Sequence, residues 1–260
     1  MPCRPSMCRP SDLATELETR LLGGEHLTLF GPRGSGKSTV LTRLHTHFGS
    51  LGVPCAYSAV TSSLDDITRA LERAYPGVST VEIPRRAARS RLWLAADQRF
   101  GILLLDHFAS VSNSMVFFLK RLHGRVAGVL TAVDIDGQRE RSRMRRPSRY
   151  GAFSVRMPPT PIRQLRRLLH TLRGDFGLPP LAPSLERQLL EAARGRPGWM
   201  VKCAELLCEP RYWSEHGLLV STLCVDTEAA VRYRALEALR PITRSIPDSP
   251  SPKEGRWHPD

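Results

Sequence analysis

The sequence predicts an α/β fold: a parallel sheet flanked by helices, followed by a small domain that is helical throughout. Three observations carry this expectation. Short apolar runs alternate with segments of helical periodicity as far as residue 158. A glycine-rich loop separates one such run from the helix after it. Beyond Pro158 every apolar pattern repeats at helical spacing.

Residues 1–10 hold three prolines and are expected to form a flexible leader. Ser11 is suited to cap a helix running to Leu22, which Gly23 and Gly24 end. Leu27–Phe30 forms the first strand, the glycine-rich loop follows, and a helix runs from about Lys37 to Phe48. A strand over Val53–Val60 and a helix from Ser63 to Ala74 come next, and Pro84 opens a basic helix to about Arg99. Gly101-Ile102-Leu103-Leu104-Leu105-Asp106 is the most apolar segment, so it predicts a parallel strand covered on both faces. A helix (Ser114–Leu122), a strand (Val126–Val133), an arginine-rich stretch (139–149) and a short strand (Phe153–Met157) complete a core over residues 11–158.

In the helical part, residues 159–240, Ile162, Leu165, Leu169 and Leu172 mark one face, and Arg163, Arg166, Arg167 and Arg173 lie largely off it. Leu185 and Leu189 mark a second helix; Val201, Ala204 and Leu207 a third; Ala229, Tyr233, Leu236 and Leu239 a last one. Five prolines in the segment 241–260 predict disorder there.

With 38 Lys+Arg against 25 Asp+Glu, the formal charge is +13. Such an excess favours polyanionic partners, since cations that bind phosphates release counterions. Six cysteines in 260 residues are too few for a disulfide scaffold. Cys3/Cys8 and Cys203/Cys208 have loose zinc-ligand spacing, but five residues along a helix place the second pair on different faces. Reduced thiols are expected instead. With no apolar signal region and no run long enough to span a bilayer, the expected location is the cytoplasm, with no membrane partner.

The loop Gly31-Pro32-Arg33-Gly34-Ser35-Gly36-Lys37-Ser38 matches the full Walker A pattern in its proper strand-to-helix context. Its glycines let successive N–H groups curl around a β-phosphate, and the following helix adds its positive end. Lys37 would reach the β- and γ-phosphates, Thr39 would extend the cradle, and the Ser38 hydroxyl would coordinate Mg²⁺. ATP is the expected ligand. Asp106, at the end of the buried strand, would hold the Mg²⁺ through water as a Walker B acid. His107 stands where hydrolytic relatives of this topology place a glutamate, and a neutral imidazole supplies no fixed negative charge. Hydrolysis is therefore expected to be weak or conditional, with Asp97 as another candidate base.

These residues resemble the AAA+ P-loop ATPases, in the branch shared by replication-initiator ATPases, regulators of DNA transposition and STAND signalling ATPases. The resemblance spans about residues 11–208. It implies an AAA+-like P-loop core with a helical lid. It implies a sensor-1 role for Thr131, near the end of the strand after Walker B. Gly195-Arg196-Pro197 is similar to the G-x-P turn of initiator and STAND lids, which makes Arg196 a candidate sensor-2 residue. An arginine finger is implied at Arg149, Arg146 or Arg145, among which the sequence does not choose, and with it an ATP-dependent homo-oligomer.

Two functions follow as expectations. One is an ATP-dependent regulator or assembly factor on double-stranded DNA, using Arg85, Arg86, Arg89, Arg91, Arg139, Arg141 and Arg143. The other is a nucleotide-binding switch acting on a protein partner. The sequence lacks a Leu-Ser-Gly-Gly-Gln transporter signature and an Asn-Lys-x-Asp guanine-reading motif, and Asp134-Ile135-Asp136-Gly137 resembles a GTPase motif only superficially.

Overall fold

The computed structural model describes residues 10–78, 84, 87, 90–92, 94–95, 101–108, 113–122, 128–135, 152–215 and 217–239. Helix α1 (Pro10–Leu22) precedes strand β1 (His26–Gly31), helix α2 (Lys37–Ser50), strand β2 (Cys55–Ser58) and helix α3 (Leu64–Ala74). Strand β3 (Ile102–Leu105), helix α4 (Asn113–Leu122), strand β4 (Gly128–Asp134) and strand β5 (Phe153–Arg156) complete the sheet layer. The five strands are parallel, in the order β2-β3-β4-β1-β5. The strand leading into the glycine-rich loop therefore has β4 between itself and β3.

The apolar run of β3 is explained by burial on both faces. Ile102 and Leu104 pack with Leu17, Leu41 and Phe48 of α1 and α2, whereas Leu103 and Leu105 pack with Ile67, Leu71 and Leu119 of α3 and α4. Side chains alternate along a strand, so an uninterrupted leucine run serves two cores. Each such leucine contributes about 2 kcal/mol by leaving water. Helix α3 starts where its capping residues dictate: Ser63 accepts from Asp66 N, and the Asp66 carboxylate accepts from Ser63 N.

The helical part begins with α5 (Ile162–Phe176), α6 (Pro183–Ala193) and α7 (Pro197–Leu207). A 3₁₀ turn (Pro210–Tyr212) and a small hairpin of β6 (Trp213–Ser214) and β7 (Gly217–Leu218), absent from the sequence expectation, lead to α8 (Val220–Leu239). Its own core holds Leu165, Leu169, Leu189, Trp199, Met200, Cys203, Tyr212 and Leu223. Burial pushes the thiols of Cys55 and Cys203 up to about 12, so both are neutral apolar side chains. Among the described residues no cluster of His, Cys, Asp or Glu could hold a metal on its own, and no helix is long and apolar enough to cross a membrane.

Residues 1–9 of the leader, the tail, and Arg85, Arg86, Arg89, Asp97, Arg139, Arg141, Arg143, Arg145, Arg146 and Arg149 lie outside the described residues, whereas Pro10 begins α1. Arg91 is described and is exposed, on a helical stretch.

Candidate nucleotide site

The glycine-rich loop leaves β1 and closes onto α2 through two left-handed residues, Gly34 at φ 76° and Gly36 at φ 97°. A side chain would strain both positions, which is why glycines stand there. The first i→i−4 bond of α2 runs from Val40 N to Gly36 O, so the amides of Lys37, Ser38 and Thr39 precede it and remain donors at the helix start. That is the anion-binding end of the helix dipole.

Lys37 is 6% exposed. Its ammonium donates to the carbonyls of Gly31 and Pro32, each at 2.9 Å, and lies 2.8 Å from Asp134 Oδ1. Arg33 Nε stands 3.5 Å from the other oxygen of Asp134. Strand β4 brings this acid to the loop because it pairs with β1 in parallel, with Asp134 opposite Gly31.

Thr131 needs correction. It lies three residues inside β4, is fully buried, and shares a 2.9 Å hydrogen bond with Thr28 of β1. The strand end that faces the loop is occupied by Asp134, because β4 runs one residue further than its apolar pattern.

Asp106 is 2% exposed and follows β3 directly. Its Oδ1 accepts from His107 N at 2.8 Å. Burial holds the Tyr57 hydroxyl above its usual range, with Thr42 opposing the rise and the neighbouring Asp106 charge adding to it. Asp106 itself is not among the residues that line the cavity between the loop and the helical part, whereas Ser38 and His107 are. His107 adopts a left-handed backbone, φ 46°, rare outside glycine.

A cavity of about 590 Å³ opens between the loop and the helical part. Arg33, Gly34, Gly36, Lys37, Ser38, Thr39, His107 and Asp134 line it from the core. Leu168 of α5, Pro197, Gly198, Val201 and Lys202 of α7, and Ala230 and Val231 of α8 line it from the other side. One end is thus cationic and rich in amides, and the other is apolar.

Arg196 does not line this cavity. It precedes α7, donates to the carbonyls of Ala192 and Ala193, and pairs with Glu228 of α8 at 2.9 Å. The cation that α7 offers to the cavity is Lys202, about 1.7 turns further along and 2.8 Å from Glu205. Sequence reasoning missed Lys202, Asp134 and the α8 wall. The signal for Asp134 was available: like Asp106, it directly follows an apolar run.

The two parts meet backbone to backbone. Gly198 N donates to Gly34 O at 2.8 Å, and a Cβ on Gly198 would stand 3.0 Å from Gly34 Cα and 3.2 Å from Gly34 O. A larger side chain must push loop and helix apart. Gly198→Val is expected to destabilise the protein by about 1–3 kcal/mol and to raise hydrogen exchange in the first turn of α7. Unchanged exchange and melting temperature would show that this contact does not hold α7 on the loop.

No protein-family model and no curated protein matches the sequence. Solved structures do match. Cdc6p from Pyrobaculum aerophilum superposes with a TM-score of 0.54 at 14% identity, over 79% of this chain and 63% of its own. The Orc1 protein of Aeropyrum pernix, solved in complex with DNA, gives 0.51 at 18% identity, over 88% of this chain and 66% of its own. Domain III of the replication initiation protein DnaA from Thermotoga maritima gives 0.51 at 15%, over 87% of this chain and 99% of that domain. The chain thus spans just under two thirds of the first two proteins and nearly all of the third. It shares the fold of these proteins, a five-stranded parallel sheet flanked by helices with a helical part after it.

Proposed function

We propose that this chain binds ATP with Mg²⁺ in the cavity between the glycine-rich loop and the helical part, which acts as a lid. It works as a weakly or conditionally hydrolytic regulator or assembly factor on double-stranded DNA. The observation that carries the reading is the cavity itself, where free helix-start amides and the Lys37 ammonium face an apolar wall of Leu168, Val201, Ala230 and Val231. Amides and ammonium suit the phosphates; the apolar wall suits a base and sugar.

The donor set fits magnesium. Mg²⁺ takes oxygen ligands and binds through one or two protein groups plus phosphates and water, so a cage of protein ligands is not required. Ser38 and the buried Asp106 carboxylate are hard oxygen donors, both beyond the carboxyl ends of parallel strands. Bound there, the ion would neutralise charge on the phosphates. Lys37 would exchange its carbonyl partners for phosphate oxygens, and Asp134 would then orient the ammonium. Pro197, Gly198 and Lys202 would close over the phosphates from the lid and exclude water. His107 would contact the γ-phosphate side without a carboxylate's charge.

The DNA part of the proposal draws on the net charge of +13 and on a fold shared with a protein solved on DNA. ATP-dependent self-assembly through an arginine between residues 145 and 149 belongs to the same proposal. The test is ATP turnover and ATP affinity, each with and without duplex DNA. We expect slow turnover that duplex DNA stimulates several-fold. ATP binding weaker than about 1 mM, the upper end of working substrate constants, overturns the nucleotide part. Tight retention of nucleotide with no response to DNA favours the second reading, a switch acting on a protein partner, to which His107 and the Gly198–Gly34 contact also lend support.

A further inference from the structure

The solvent face of α5 carries a row of cations that the nucleotide site does not use. Arg163, Arg166, Arg167 and His170 stand opposite the buried Leu165, Leu169 and Leu172, and all four are exposed. Asp175 is the one acid of this helix. Glu186 of α6 takes Arg166 at 2.8 Å and approaches His170 at 3.8 Å. Arg163 and Arg167 form no ion pair among the described residues, and they are one helical turn apart, pointing the same way. Gln164 and Thr171 flank the row on one side and the exposed Ile162 on the other, so the one apolar side chain of this face stands at its edge and not at its centre.

We infer that this face of α5 docks the phosphate backbone of duplex DNA, with Arg163 and Arg167 as its principal contacts. The inference rests on the DNA reading above and places a contact on the lid rather than on the core arginines. A protein-binding face would present an apolar or aromatic anchor at its centre, and this one presents guanidinium groups and polar side chains. Guanidinium groups bind phosphate oxygens in pairs, and Gln and Thr side chains add the hydrogen bonds that fix register on a backbone. Leu168, on the flank of the same helix, lines the nucleotide cavity, so DNA held on α5 would bear on the element that closes over ATP.

The test is the affinity of a short fluorescein-labelled duplex for the full chain, titrated between about 50 and 200 mM salt. Arg163→Ala/Arg167→Ala is expected to weaken binding on the order of fifty-fold at 0.1 M salt and to lower the salt slope by about 2. Arg163→Lys/Arg167→Lys should keep most of the slope, because the point charges remain. Arg69→Ala/Arg187→Ala removes the same charge from exposed positions elsewhere and should cost much less. Melting temperatures should match the wild type throughout, since both target residues are exposed. A double alanine variant that binds like the wild type, or a control pair that loses as much, overturns the inference while leaving the DNA reading intact. A wild type that does not bind the duplex overturns that reading, and this inference with it. Polyglutamate competing as well as DNA at equal charge would make α5 a surface for acidic proteins and overturn the proposal.

Discussion

Lys37→Ala will lower ATP affinity at least a hundred-fold, measured by titration calorimetry. The ammonium is nearly buried between two carbonyls of the loop and the Asp134 carboxylate, so it is held at the loop and can trade the carbonyls for phosphate oxygens. A hydrogen bond to a charged group contributes about 1.5–3 kcal/mol. Removing two such bonds to phosphate at once reaches the hundred-fold range at about 1.4 kcal/mol per decade. Alanine also leaves the Gly31 and Pro32 carbonyls without this donor, and Asp134 facing the phosphates with Arg33 as its nearest remaining cation. That carboxylate then repels the triphosphate, which weakens binding further. A lower melting temperature is expected too, because Asp134 is largely buried and is deprived of its closer partner. ATP affinity equal to that of the wild type would remove the phosphates from this loop.

The glycine-rich loop and the β3 run were legible because each is dictated by local physics. Left-handed turns favour glycine, and a strand covered on both faces calls for apolar residues at consecutive positions. Asp106 followed from the second of these. Thr131 and Arg196 failed for a different reason: the sequence places them near the site but does not supply their direction. The apolar pattern of β4 ends at Val133, whereas pairing with β1 carries the strand to Asp134 and leaves Thr131 bonded to Thr28 inside the sheet. Arg196 stands ahead of the first turn of α7, where the side chain folds back on α6 and α8; only residues on the face of Gly198, Val201 and Lys202 meet the cavity. The apolar wall was out of reach altogether. Leu168, Val201, Ala230 and Val231 come from three helices that packing alone brings together, and no local pattern distinguishes them from ordinary core residues.

His107→Glu is expected to raise the turnover of saturating ATP by at least ten-fold while changing ATP affinity by no more than about three-fold. A positioned general base contributes roughly 10²–10⁴ to a rate, and position 107 lies against the cavity, directly after the acid that would hold magnesium. Glutamate is ionised at neutral pH and can both orient a water and accept its proton; an imidazole there does the second without the fixed charge. The left-handed backbone at 107 costs about 1–2 kcal/mol. Histidine tolerates that conformation better than most residues, so a modest fall in melting temperature should accompany the gain. His107→Ala serves as the companion: it should not exceed wild-type turnover, which ties any gain to the carboxylate and not to a roomier cavity. Phosphate release under single-turnover conditions isolates the chemical step from product release. If His107→Glu binds ATP normally and turns over no faster, the attacking water stands elsewhere in the cavity, and the missing carboxylate is not what limits hydrolysis.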